Sequence, residues 1–301
     1  MAGVAGFIFL VCSCASSSGH DTGVVDSEDG RYATPGLLRR YFPSVQEDKI
    51  IATAKDALIR ECLGPYGFHL QQPVISTESG LVSTLLRSPD YSSRGESDAR
   101  KYGFHPATNN LAEKNTTNQV KPQDQDALIL AINGSRGKSG VTYNGLKIPR
   151  YGCAGEAEKT LSKGAAIPFK SSYPGGEMGA INILLRIRSD IRSKMSGDEE
   201  MKKLNDSWDQ CFGDGFGKYS SPRTLSRDSK WRSSSKVTKV EISAAVTSAK
   251  CQSEIGYVKK FQIREGIFEK EEEEANIKTL KEIRALFEVR LGNAESVTKS
   301  S

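Results

Sequence analysis

The chain has 301 residues, 37% of them hydrophobic, with 42 basic and 37 acidic side chains and a formal net charge of +5. That is enough apolar material for one large domain or two modest ones. The charge excess is too mild to make nucleic acid the expected partner. The sequence has no run of about 18 apolar residues, so it carries no ordinary membrane-spanning helix.

Residues 2–11 are unbroken apolar and small residues, of signal-peptide core length. Val11-Cys12-Ser13-Cys14 follows. A small residue directly before a cysteine, at the end of such a run, resembles a bacterial lipobox. That resemblance implies cleavage before Cys14 and diacylglycerol on its thiol, so 1–14 is expected to be a lipoprotein signal peptide. Residues 15–33 are rich in Ser, Asp and Gly and read as a flexible tether. The expected location is the extracellular face of the cell membrane, lipid-anchored; cleavage nearby without lipidation would give a secreted protein instead.

The first helix opens after Phe42-Pro43, where Ser44 and Glu47 make a capping-box pattern. Ile50, Ala54, Leu58 and Cys62 then recur every four residues, which places the cysteine on the apolar stripe. Gly64-Pro65 stops the helix. Residues 74–125 are poor in apolar groups beyond a short stretch at 81–86 and read as a long irregular loop. Tyr66-Gly67-Phe68-His69 recurs as Tyr102-Gly103-Phe104-His105. Each is read as a turn packed after a helix with its histidine at the surface. The Gly134–Gly140 stretch lacks the spacing of a phosphate loop. Asn144-Gly145 sets a two-residue hairpin with Val141-Thr142-Tyr143 and Leu146-Lys147-Ile148 as arms. Cys153 then lies near a helix start. A thiol there is activated, so the residue is either a nucleophile or half of a disulfide, and the exported context favours the disulfide.

Residues 177–195 are expected to form a helix with Ile181, Leu184, Leu185 and Ile191 inward. Ser196 and Glu199 suggest a capping box before a second helix, whose Met201, Leu204, Trp208 and Cys211 share a face. Cys62-Leu63-Gly64 and Cys211-Phe212-Gly213, each with a proline eleven residues after the cysteine, suggest a weak internal repeat. Segment 218–239 carries seven basic residues against Asp228, interleaved with Tyr219 and Trp231. It reads as a solvated linker or as a contact for an anionic cell-wall polymer. From Val240 the chain is helical, with a break at Gly256. The Glu269–Glu274 run reads as a solvated face, and Gly292 as the stop before a frayed tail at 293–301.

With Cys12 removed and Cys14 lipidated, Cys62, Cys153, Cys211 and Cys251 remain. An even number in an exported chain reads as two disulfides, with three pairings open. Three histidines and no CxxC spacing give no reason to expect a metal, and no cofactor motif is present. The expected fold is a single mainly α, irregular helical domain over 34–292, with one small β-hairpin.

Glu61-Cys62-Leu63 with Tyr66-Gly67-Phe68, Tyr151-Gly152-Cys153-Ala154-Gly155-Glu156-Ala157, Trp208-x-x-Cys211 and Ala249-Lys250-Cys251-Gln252 together resemble a family of exported actinobacterial proteins of unknown function. The resemblance covers roughly residues 30–292. It implies an exported, cysteine-stapled, mostly helical protein and brings no activity with it. The expected role is non-catalytic binding or scaffolding at the cell envelope. The competing expectation is a secreted hydrolase using Cys153, or Glu265 and Glu272, which stand seven residues apart on one helix face.

Overall fold

A computed structural model describes residues 36–75, 95–105, 121, 124–135, 140–167, 169, 173–231 and 236–300. A 3₁₀ turn at Leu38–Tyr41 leads into α1 (Val45–Leu63). Next come α2 (Glu96–Tyr102), α3 (Gln125–Asn133), strands β1 (Thr142–Tyr143) and β2 (Leu146–Lys147), and α4 (Gly152–Leu161). The chain closes with α5 (Glu177–Gly197), α6 (Glu199–Phe212), α7 (Pro222–Ser226), α8 (Lys239–Glu254) and α9 (Tyr257–Ser300). The described residues form a mainly α fold with one antiparallel hairpin and two disulfides. Among the described residues no helix is long and apolar enough to cross a membrane.

Local chemistry explains the boundaries. The Glu47 amide donates to Ser44 Oγ at 3.2 Å and the Ser44 amide to Glu47 Oε2 at 2.7 Å, which satisfies two orphan donors at the start of α1. The hairpin turns through Asn144 and Gly145 at φ 50° and 76°, the left-handed pair a type I′ turn needs, and sets Thr142 opposite Lys147. The turn before α6 differs from expectation. Asp198, not Ser196, caps that helix, accepting from the Met201 amide at 3.0 Å, while Ser196 Oγ bonds back to the Ser193 carbonyl.

Two cores result. The larger gathers the 3₁₀ turn and α1, α5, α6, α7, α8 and α9 around Trp208, Leu184, Ile187, Leu280 and Phe287. The smaller lies between α1, α3, α4 and the hairpin, with Ile59, Leu63, Leu128, Ile148 and Ala157 inside. Ile181, Leu184 and Ile191 point inward on α5 as expected, but Leu185 is 43% exposed because the buried stripe passes through Ile187. Helix α1 reaches the smaller core through Cys62, bonded to Cys153; Cys211 of α6 is bonded to Cys251 of α8. Cys153 is placed by a crossing of two left-handed glycines. A Cβ on Gly152 would overlap the Ile132 carbonyl and one on Gly134 the Arg150 carbonyl, so only glycine allows the two backbones to meet. After Cys62 and after Cys211 the helix runs into a 3₁₀ turn, Gly64–Tyr66 and Asp214–Phe216, but the glycines that end the two helices differ, Gly64 at φ −52° and Gly213 at φ 69°.

The C-terminus also departs from the reading. Helix α9 does not stop at Gly292 but runs on to Ser300, and the expected tail is helical through that residue. A glycine inside a helix costs about 1 kcal/mol relative to alanine. Its neighbours offset this: Ala294 is buried, and Asn293 Nδ2 donates to the Leu161 and Lys163 carbonyls at 2.8 and 3.0 Å, serving the open end of α4.

Candidate functional site

Helix α9 continues its apolar register Leu280, Ile283, Phe287 backward through Asn276, Glu273, Glu272 and Glu269, and forward to Arg290 and Ala294. The side chains at these stations therefore face the body whether or not they are charged. Glu269, Glu272 and Glu273 are buried, which corrects the reading of the 269–274 run as a solvated face.

At one end of this stripe Glu273 accepts from the Tyr41 hydroxyl and from Arg40 Nη2 on the 3₁₀ turn. Glu269, 2% exposed, accepts from the Leu37 amide at 3.4 Å. Burial, then the negative charge of Glu265, pushes its carboxyl up to about 8, so it is protonated at neutral pH. Glu272 pairs with Lys194 of α5 at 3.0 Å, the basic partner from a neighbouring helix expected for it. Of the expected carboxylate pair, Glu265 and Glu272, only Glu272 is buried; the strongly perturbed carboxyl is Glu269, between them.

At the other end lies a buried charge cluster. Arg290 is 0% exposed. Its Nη1 donates to Glu158 Oε2 at 2.7 Å and to Ser162 Oγ at 3.0 Å, and its Nη2 is 3.4 Å from Glu177 Oε2. Lys55 of α1 contacts Glu158 Oε1 and lies 3.2 Å from Glu177 Oε2. Ser162 Oγ donates to the Gly175 carbonyl at 2.7 Å. Gly175 and Gly176 are both left-handed, and a Cβ on Gly175 would overlap the Glu158 carboxyl. The Pro174-Gly175-Gly176-Glu177 sequence thus brings α5's first residue into the cluster. Burial, reinforced by the charge of Glu177, pushes Glu158 up. Burial pushes Glu177 up as well, but Arg290, Lys55 and a hydrogen bond from Glu158 override it and hold Glu177 at about 2. The same two cations thus hold Glu177 well below the usual carboxylate range while burial leaves Glu158 above it. Lys55 and Arg290 stay protonated because the carboxylates outweigh their burial.

The four cysteines expected to cross-link are all paired, as Cys62–Cys153 and Cys211–Cys251. Cys153 is at the start of α4 as expected, buried, with its sulfur bonded to Cys62. Cys14 lies outside the described residues. His69 is exposed, whereas His105 is half-buried with Nε2 3.3 Å from Glu241 Oε2. Glu241 also caps α8 and accepts from the Phe104 amide at 2.8 Å. Within the basic segment, 218–231 is folded onto the body. Trp231 is buried with Nε1 donating to the Leu225 carbonyl at 2.7 Å, Tyr219 donates to Asp228 at 2.6 Å, and the Lys230 ammonium sits over both rings. Lys218, Arg227, Lys230, Lys236 and Lys239 are exposed. Among the described residues no group of His, Cys, Asp and Glu is arranged to hold a metal ion.

The charge cluster was overlooked in the sequence, although its signal was there. Lys55 sits midway between Ile51 and Ile59, Glu158 between Ala154 and Leu161, and Arg290 three residues after Phe287, each in the register of a buried stripe. No family model, no curated protein and no solved structure matches this chain.

Proposed function

We propose that the protein works outside the cell, tethered to the membrane through a lipid on Cys14, as a non-catalytic binding or scaffolding protein of the envelope. The observation that carries this reading is the full pairing of Cys62, Cys153, Cys211 and Cys251, since disulfides persist in oxidising compartments and not in the reduced cytosol. The apolar run ending at Val11-Cys12-Ser13-Cys14 supplies the export signal and the attachment point. The partner class is an anionic cell-wall polymer, met through segment 218–239 by the exposed Lys218, Arg227, Lys230, Lys236 and Lys239, with Tyr219 and Trp231 folding 218–231 against the body. Hydrolysis by Glu265 and Glu272 is less well supported, because Lys194 already neutralises Glu272.

Fractionation of cells expressing the Cys14→Ala variant tests the anchor. The variant leaves the membrane fraction and appears in the medium; unchanged membrane retention refutes the lipid attachment. Cosedimentation with purified anionic wall polymer tests the partner. Joint reversal of Lys218, Arg227 and Lys239 to Glu abolishes binding, and unchanged binding refutes that surface.

A further inference from the structure

One side of helix α9 faces the body through Glu269, Glu273, Leu280, Ile283 and Phe287. We infer that its opposite side is a self-association surface, on which a second copy of this chain seats its own α9 in antiparallel register. The inference rests neither on the membrane tether nor on the wall polymer.

The outward stripe is Ile263, Ile267, Lys270, Glu274, Ile277 and Lys281, all exposed. Their spacing alternates between four and three residues. That keeps them within about 40° of one line along the helix and matches the a/d seam of a coiled coil. Ile263, Ile267 and Ile277 are 56%, 42% and 37% exposed. Helix propensity gives no reason for them, because a β-branched side chain is a poorer helix former than Ala, Leu, Lys or Glu. Three on one line are placed for a partner.

The charges between them select that partner. An antiparallel copy whose two-fold axis passes beside Glu272 sets Ile267 against the partner's Ile277. It sets Lys270 against the partner's Glu274, and Ile263 against the aliphatic stem of the partner's Lys281. Two-fold symmetry makes each contact twice, so a pair of Lys–Glu bridges at the axis is flanked on both sides by apolar layers. A parallel copy would set Lys270 on Lys270 and Glu274 on Glu274, and like charges oppose that pairing. Glu271, next to the axis, is already neutralised by Lys194 of α5 at 2.9 Å. Beyond the stripe Lys260 would meet the partner's Arg284, which Glu47 and Glu288 engage in its own chain. The contact therefore ends at Ile263 and Lys281. A seam of about 27 Å is short for a permanent interface, and it gives a dimer of micromolar affinity.

The test is sedimentation equilibrium of the full-length protein, disulfides intact, in density-matched detergent. Association through a lipid is then common to all variants. Over about 5 to 500 μM the unaltered chain passes from one chain mass to two. One chain mass throughout overturns the inference and leaves the stripe to a different protein. Ile267→Glu breaks two symmetry-related layers and weakens association about tenfold or more; unchanged association overturns the surface. Lys270→Glu alone and Glu274→Lys alone each stay single, and their equimolar mixture forms a heterodimer. A mixture that stays single overturns the role of the two charges. The double variant Lys270→Glu/Glu274→Lys dimerises again, because each swapped charge meets its swapped partner. A double variant no better than the single ones overturns the antiparallel register. All the substituted positions are exposed, and circular dichroism matching the unaltered chain verifies the fold of each variant.

Discussion

Replacing Glu269 by Gln should make the protein more stable at alkaline pH and leave it nearly unchanged in acid. In the unfolded chain this carboxyl ionises near its ordinary 4.5, whereas burial in the fold delays ionisation to about 8. Between those two values the folded state binds more protons than the unfolded state. Stability therefore falls as pH rises from about 4.5 to about 8, and this group contributes no further change above that. The full interval corresponds to about 5 kcal/mol if the site cannot relax, and to less where the 3₁₀ turn over it yields. Glutamine keeps the shape of the protonated acid and cannot ionise. Urea midpoints of both proteins, disulfides intact, should coincide to within about 1 kcal/mol at pH 5 and separate by several kcal/mol at pH 8.5, with the variant more stable. All other titrating groups are common to the two proteins and cancel in the difference. An equal gap at both pH values would refute the assignment of a retained proton to Glu269.

Two more outcomes are expected. A chain-entropy estimate gives each disulfide, closing loops of 91 and 40 residues, about 4 to 5 kcal/mol. Stepwise reduction followed by alkylation should label Cys211 first, since it is exposed while Cys153 is buried; label appearing first at Cys62 and Cys153 would contradict the burial pattern. The Gly152→Ala substitution forces a Cβ into the Ile132 carbonyl at a left-handed position. It should lower stability by more than the roughly 1 kcal/mol of an ordinary glycine replacement and leave Cys62 and Cys153 alkylatable. Full oxidation of that variant would show that the glycine crossing is dispensable.

Features set by short-range grammar were legible in the sequence. The Ser44–Glu47 box, the Asn144-Gly145 turn and the helix break at Gly256 each rest on residues a few positions apart. Features set by distant partners were not. Reading 269–274 as a solvated face follows from composition, but Glu269, Glu272 and Glu273 fall on the stripe that Leu280, Ile283 and Phe287 bury, and the neighbours that receive them are Leu37, Arg40, Tyr41 and Lys194. The stop expected at Gly292 fails for the same reason, because Asn293 finds its acceptors 130 and 132 residues upstream. The disulfide pairing could not be chosen from the sequence, since it depends on a backbone crossing at Gly134 and Gly152.

The pairing itself has a consequence for biogenesis. Among the four cross-linked cysteines, the first joins the second and the third joins the fourth, so neither loop encloses or interleaves with the other. A chain threaded outward from its N-terminus presents these sulfurs in the order in which they must marry. A simple oxidant acting on each newly arrived pair would make only native bonds, and maturation would proceed without an isomerase to undo mistakes.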